Sequence, residues 1–293
     1  MLIKHWEYTE VVDSETFDKF KAHKTPISTT SDLPANTAVF ISNDGKRLEG
    51  VFDPKLHAIR PLKVNKPFPN RDLRLYMDAI NNPDITMIAV DGLMGTGKTS
   101  TAVESAIQFI NDIFKPNLPL TSPKVVIAKP YVYANGEEYG FLPGGIDEKF
   151  DPSLVNFIQY FDRWHQAGFS KLRDMGYIKI LPLGFIRGLD AEDLIIIADE
   201  CQNTRELISL ATRKSKNSRI FYLGDTSPFQ IDLQGSTPHN NGLTKLINLL
   251  QGAPYFQYIE LKSLEHVVRS PEVRDIVKRL FDQYGEKPQD WTI

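Results

Sequence analysis

The stretch Gly92-Leu93-Met94-Gly95-Thr96-Gly97-Lys98-Thr99 fits G-x-x-x-x-G-K-[ST] at every fixed position. It constrains the fold because it needs a strand before it and a helix after it. Residues 85–90 (Ile-Thr-Met-Ile-Ala-Val) form a short apolar, β-branched run that reads as a buried parallel strand. Beyond Thr99, Ala102, Val103, Ala106, Ile107, Ile110 and Phe114 recur at helical spacing and give one apolar face. Both elements stand where the motif requires them, so the stretch reads as a Walker A turn. Its glycines let backbone N–H groups approach an anion. Lys98 supplies a point charge for the β- and γ-phosphates, the Thr99 hydroxyl can ligate Mg²⁺, and the following helix turns its positive end to the phosphates. Gly92, Gly95, Thr96, Gly97, Lys98, Thr99 and Ser100 are the candidate nucleotide contacts.

The rest of the chain is organised around that turn. From residue 85 onward strand and helix patterns alternate, which predicts a three-layer α/β domain with a mostly parallel sheet. Further strands are expected over 125–128, 178–181, 194–198, 220–223 and 256–261. Helices are expected over 72–81, 153–165, 205–213, 243–250 and 271–284. Residues 1–66 differ. A polar segment at 14–23 has helical character, and three strand candidates follow around the hairpin signal Asn43-Asp44-Gly45. This predicts a small β-rich appendage, too small to fold confidently alone. The expected boundary is 1–66 and 67–293, with the proline-containing stretch 63–70 as linker.

A second signal follows the apolar run 194–198. Asp199-Glu200 at its end is the Walker B arrangement: Asp199 to hold Mg²⁺, Glu200 to orient or deprotonate the attacking water. Residues 220–223 lead into Gly224-Asp225, with Gln230 close behind, and carboxyl ends of strands are where α/β sheets bind ligands. Arg269 precedes Ser270-Pro271, a good helix start, and is a candidate charge-neutralising arginine in the same chain or a neighbouring subunit. Cys201 reads as a packed small residue, since nothing basic beside it would lower its pKa. Phe185-Ile186-Arg187-Gly188 and the basic run 213–219 could contact phosphates and bases, although such runs are more often solvated.

Bulk numbers exclude several classes. The net charge of −3 over 293 residues carries no global basic signal, so nucleic-acid binding would need a local patch. One cysteine rules out intrachain disulfides, and the six histidines have no cysteine partners at zinc spacing. No run of 18 apolar residues exists and residues 1–7 lack an apolar core, so a cytoplasmic protein without a membrane segment is expected.

Taken in order, these stretches resemble the PhoH-like family of P-loop ATPases, whose core is similar to that of superfamily-one helicases. The carrying text is Gly95-Thr96-Gly97-Lys98-Thr99, Gly140-Phe141-Leu142-Pro143-Gly144, Phe185-Ile186-Arg187-Gly188, Asp199-Glu200-Cys201-Gln202-Asn203, Gly224-Asp225 with Gln230-Ile231-Asp232, and Asn241-Gly242-Leu243-Thr244. The resemblance spans about residues 68–282, in a short, phage-like version, which would place it in a host cytoplasm if phage-encoded. It implies a RecA-like fold and Mg²⁺-dependent ATP hydrolysis coupled to binding, translocation or unwinding of single-stranded nucleic acid, RNA ahead of DNA. It also implies a homo-oligomeric ring, with a hexamer among the options. Gln202 and Gln230 would sense the γ-phosphate, and Arg269 would be the arginine of the last helicase-like motif. The family's adenine-reading glutamine has no counterpart in residues 70–74, where Asn70 stands as the candidate contact. The step from Gly224-Asp225 to Gln230 runs about two residues longer than is usual in the family. Two other classes stay open: a nucleotide-gated switch or assembly protein without motor activity, and a small-molecule kinase whose acceptor pocket and arginine-rich lid are not evident.

Overall fold

The computed structural model describes residues 5–64, 68, 70–130, 154–188, 192–205 and 207–284. They fall into two compact units, one of residues 1–88 with 247–259, the other of residues 89–246 with 260–293.

The first unit contains β1 (Thr9–Val11), α1 (Ser14–His23), β2 (Ile27–Ser28), β3 (Ala38–Asn43), β4 (Lys46–Asp53), β5 (Ala58–Pro61) and α2 (Arg71–Asn81). The five strands make one sheet in the order β1-β3-β4-β5-β2. The expected antiparallel meander is its centre: β3 pairs with β4 and β4 with β5. The hairpin turns on Asp44 and Gly45, both at positive φ, as a two-residue loop matching the strand twist requires. Two strands extend the meander beyond expectation. β1 pairs with β3 in parallel, and β2 pairs with β5 antiparallel. α1 starts on the Asp13 side chain, which accepts from the Thr16 N–H. It buries Phe17 and Phe20 against Val39, Ile41, Phe52 and Ile59.

The remaining elements are β6 (Met87–Gly92), α3 (Lys98–Ile113), β7 (Val125–Lys129), α4 (Val155–Trp164), α5 (Gly168–Asp174), β8 (Ile178–Pro182), β9 (Ile195–Ala198), α6 (Leu207–Ala211), β10 (Arg219–Gly224), α7 (Gly242–Leu250), β11 (Phe256–Leu261) and α8 (Pro271–Tyr284). Their strands form an all-parallel six-stranded sheet in the order β11-β6-β10-β9-β7-β8. Its middle strands are buried on both faces, which is why they read as continuous apolar runs without alternation. This is the expected P-loop type of α/β fold, with a β-rich sheet before it. Parallel strands end on one edge, so the residues following β6, β9 and β10 share an edge. No helix among the described residues is long and apolar enough to cross a membrane.

Candidate nucleotide site

β6 ends at Gly92 and α3 begins at Lys98, so the Walker A residues form the connecting loop. Gly95 (φ 78°) and Gly97 (φ 87°) lie in the left-handed region, where a side chain would be strained. The buried Thr96 hydroxyl donates to the Leu93 carbonyl at 2.8 Å and fixes the inside of the loop. Ser100 Oγ donates to the Gly97 carbonyl at 2.9 Å. Lys98 Nζ reaches back to the carbonyls of Gly92 (2.9 Å) and Leu93 (3.4 Å), so the ammonium lies over the loop that would hold the phosphates. Thr99, half-buried, is the second residue of α3.

Asp199 and Glu200 follow β9 directly. Asp199 is buried, its N–H donates to the Ala128 carbonyl, and Lys129 Nζ lies 3.6 Å from its carboxylate. Glu200 adopts a left-handed backbone (φ 55°, ψ 39°), a conformation that costs a non-glycine residue about 1 kcal/mol or more. Burial, and then the Asp199 charge, push its carboxyl up, with Lys98 opposing. A carboxyl drawn toward neutral pH is suited to taking a proton from water.

Gln202 joins three parts of the site. Its amide nitrogen donates to Glu200 Oε2 (2.7 Å) and to the Gln230 carbonyl (3.0 Å), while its oxygen accepts from the Asp225 N–H (3.1 Å). The side chain is fully buried, and a Cβ on Gly224 would stand 2.6 Å from its oxygen, so that glycine keeps β10 open to it. Gln230 is therefore tied to Gln202 through its backbone. Asn203 grips the same segment, accepting from Asp232 N–H (2.8 Å) and Leu233 N–H (3.3 Å). Asp225 accepts from Ser227 N–H and Oγ through one oxygen, and its other oxygen is buried without a hydrogen-bond partner among the described residues. Burial raises its pKa against the pull of Lys98.

Arg269 comes to the loop from the C-terminal side of the same chain. Val268 N–H donates to the Gly95 carbonyl at 3.1 Å, and a Cβ on Gly95 would lie 3.0 Å from the Arg269 Cβ. The Arg269 side chain is exposed. The site thus brings together the Walker A loop, Asp199, Glu200, Gln202, Gln230 and Arg269. Asn70 belongs to the first unit, where its side-chain oxygen caps α2 by accepting from Asp72 and Leu73 N–H. The loop at 140–145 and the Arg187 side chain lie outside the described residues. Cys201 is buried, with its thiol pushed well up by burial and then by Asp199, which makes it a packing residue.

Sequence reasoning missed a second layer. Asp91, buried in the last turn of β6, accepts from Thr226 N–H (3.0 Å) and Oγ1 (2.7 Å) and pairs with Lys262 at 2.8 Å. Burial would lower the Lys262 pKa, yet Asp91 holds it above its ordinary value. The available signal was a carboxylate inside an otherwise apolar strand, immediately before the first glycine. Lys129, at the end of β7, is a similar omission.

A family profile described as PhoH-like protein matches residues 69–281, well over half the chain. The chain belongs to the PhoH-like family. It is 32% identical over 222 residues to a PhoH-like protein of Mycobacterium tuberculosis (strain H37Rv), covering 75% of this chain and 57% of that one. Over 212 residues it is 34% identical to a PhoH-like protein of Bacillus subtilis (strain 168), covering 70% and 60%. A protein PhoH2 of Thermobispora bispora is 25% identical over 293 aligned positions, covering 93% of this chain and 62% of its own length. The chain spans about three fifths of the length of these relatives. The family is one of P-loop NTPases, and nucleotide binding comes with membership.

Proposed function

We propose that this chain is a Mg²⁺-dependent ATPase that couples turnover to binding, translocation along, or unwinding of single-stranded nucleic acid, RNA ahead of DNA, as a homo-oligomeric ring. The single observation that carries the hydrolytic part is Gln202, which ties the Glu200 carboxylate to both Asp225 and the Gln230 segment. A residue so placed can register the group beside Glu200 and pass its presence to the adjoining loops.

The roles follow from the positions. The loop N–H groups and Lys98 hold the β- and γ-phosphates. Glu200 orients the attacking water and takes its proton; the raised carboxyl supports that role. Arg269, beside Gly95, offsets charge developing at the γ-phosphate. Thr99 and Asp199 supply a hydroxyl and a carboxylate, the hard oxygen donors that Mg²⁺ prefers. When bound, the ion would neutralise phosphate charge.

Phosphate release from ATP with Mg²⁺, with and without single-stranded RNA and DNA oligonucleotides, tests the reading, with Glu200→Gln as control. Stimulation by one nucleic acid, lost in the variant, supports a nucleic-acid motor and names its track. Turnover that needs Glu200 but ignores both oligonucleotides replaces the motor with a nucleotide-gated switch.

A further inference from the structure

Beyond the nucleotide site, β8 runs along the outer edge of the six-stranded sheet. A groove of about 370 Å³ lies along it, lined by Arg173, Lys179, Leu181, Pro182 and Phe185 among others. Its volume is in the range of clefts that take small ligands or a short stretch of a polymer. Two features set it apart from an ordinary edge. Phe185 is 62% exposed, while its neighbour Ile186 is buried at 3%, so the local 3₁₀ turn Leu183–Gly188 holds a phenyl ring out. The charged lining residues among those described are both cations, in a chain whose net charge is −3.

We infer that this groove is a binding site for single-stranded nucleic acid, in which Phe185 stacks on a base and Lys179 and Arg173 meet phosphates. An aromatic platform beside basic groups is the combination by which single strands are held without sequence readout. Charge complementarity favours a polyanion over an apolar peptide strand added to β8. The location gives the site a route to the nucleotide. Phe185 follows the carboxyl end of β8, on the edge where Asp199 and Glu200 follow β9. The 3₁₀ turn that carries it packs against α6 and β7. α6 begins just after Gln202 and Asn203, and β7 ends in Lys129, 3.6 Å from Asp199. A strand seated on Phe185 therefore presses on the elements that frame the Walker B pair.

This inference rests on the nucleic-acid reading above, and the experiment separates the two. Binding of labelled oligo(rU) and oligo(dT) to the full chain is followed by fluorescence anisotropy across about 50 to 200 mM salt. Phe185→Ala is expected to raise Kd about tenfold, the scale of one lost base–aromatic stack, and Phe185→Trp to keep parental affinity. Lys179→Gln should lower the slope of log affinity against log salt by about 0.7, one phosphate contact on a single strand. ATP turnover without oligonucleotide should be unchanged in all three. If the parent binds but Phe185→Ala and Lys179→Gln bind equally well with the same slope, the groove is not the site. If those variants instead change the sedimenting mass without oligonucleotide, the face joins copies of the chain and the inference falls. If the parent binds neither oligonucleotide, the motor reading falls with it.

Discussion

The first unit pairs its buried charges throughout, whereas the second leaves two carboxylates of the candidate site short of partners. In the first, the charges are saturated. Asp78 accepts two bonds from the Arg60 guanidinium (2.7 and 3.0 Å) and a third from the Lys63 N–H (2.7 Å). Asp72 accepts from the Trp6 indole at 2.6 Å, and Arg74 grips Glu49 through two nitrogens. In the second unit Asp91 is satisfied in the same way, by Thr226 and Lys262, but Glu200 and Asp225 are left wanting. Glu200 sits beside Asp199 with its pKa raised, and one oxygen of Asp225 has no partner among the described residues. Satisfied polar groups fix a fold, whereas an acid kept short of partners is held ready for a ligand. The two units should therefore fail in different ways.

The sharpest separation comes from Glu200→Gln. Losing the proton acceptor should lower turnover about 10²- to 10⁴-fold, while the denaturation midpoint stays level or rises, because the charge of a desolvated acid beside Asp199 has been removed. A variant that loses turnover and stability together would break the contrast. Asp78→Ala is the converse. Arg60 keeps Asp53 at 3.3 Å but loses its paired carboxylate, and the Lys63 N–H loses its acceptor, which together should cost about 1–3 kcal/mol in chemical denaturation, with hydrolysis per folded molecule near parental. Equal turnover loss in the folded fraction would mean that the Arg60–Asp78 pair serves the nucleotide site as well.

The same contrast explains what could be read from the sequence. β11 and α8 stand at the residues expected, because Phe256, Tyr258, Ile259 and Leu261 mark the strand and Ser270-Pro271 marks the helix start. Walker A and Walker B could be read as short motifs with a fixed chemistry, whereas Gln202 entered only through the resemblance to the PhoH-like family. β1 was not, since three mixed residues gain strand form only by pairing in parallel with β3. α5 was missed for a similar reason: it is short and buries only Phe169 and Leu172. The helix expected over 205–213 contracts to Leu207–Ala211, and Thr212 and Arg213 continue it only as a turn. The Asp91–Lys262 pairing could not be read from the sequence because Lys262 follows β11 and the two charges meet only once β11 lies beside β6.

A smaller effect is expected from Asp225→Asn. The folded-state pKa of Asp225 is raised, so its contribution to stability is present below the ordinary carboxylate range, about pH 4, and is lost as pH rises through the folded value. The variant should therefore gain on the parent in chemical denaturation between about pH 4 and pH 7, by a fraction of the Asp78→Ala effect. A difference that stays flat with pH would mean that Asp225 is not held short of partners.

His5 carries the smallest effect and the opposite sign. Its Nδ1 accepts from the Ala38 N–H at 3.1 Å, and Nε2 lies 2.9 Å from the Tyr258 carbonyl, so the two bonds together select the neutral tautomer with the proton on Nε2. A second proton would have to displace the Ala38 bond in a partly buried setting. Burial lowers the His5 pKa, and the Tyr258 bond and the Asp72 charge offset this only in part. A lowered folded-state value means that the unfolded chain binds the proton first, so stability present above about pH 6.5 is lost as pH falls toward the folded value. Melting temperature should drop between about pH 7 and pH 5.5 in the parent, and less in His5→Gln, which can still pair with the same backbone groups. The saturated unit would then weaken on the acid side, where Asp225 favours the other unit. If His5→Gln melts with the same pH dependence as the parent, His5 is not what makes the first unit acid-sensitive.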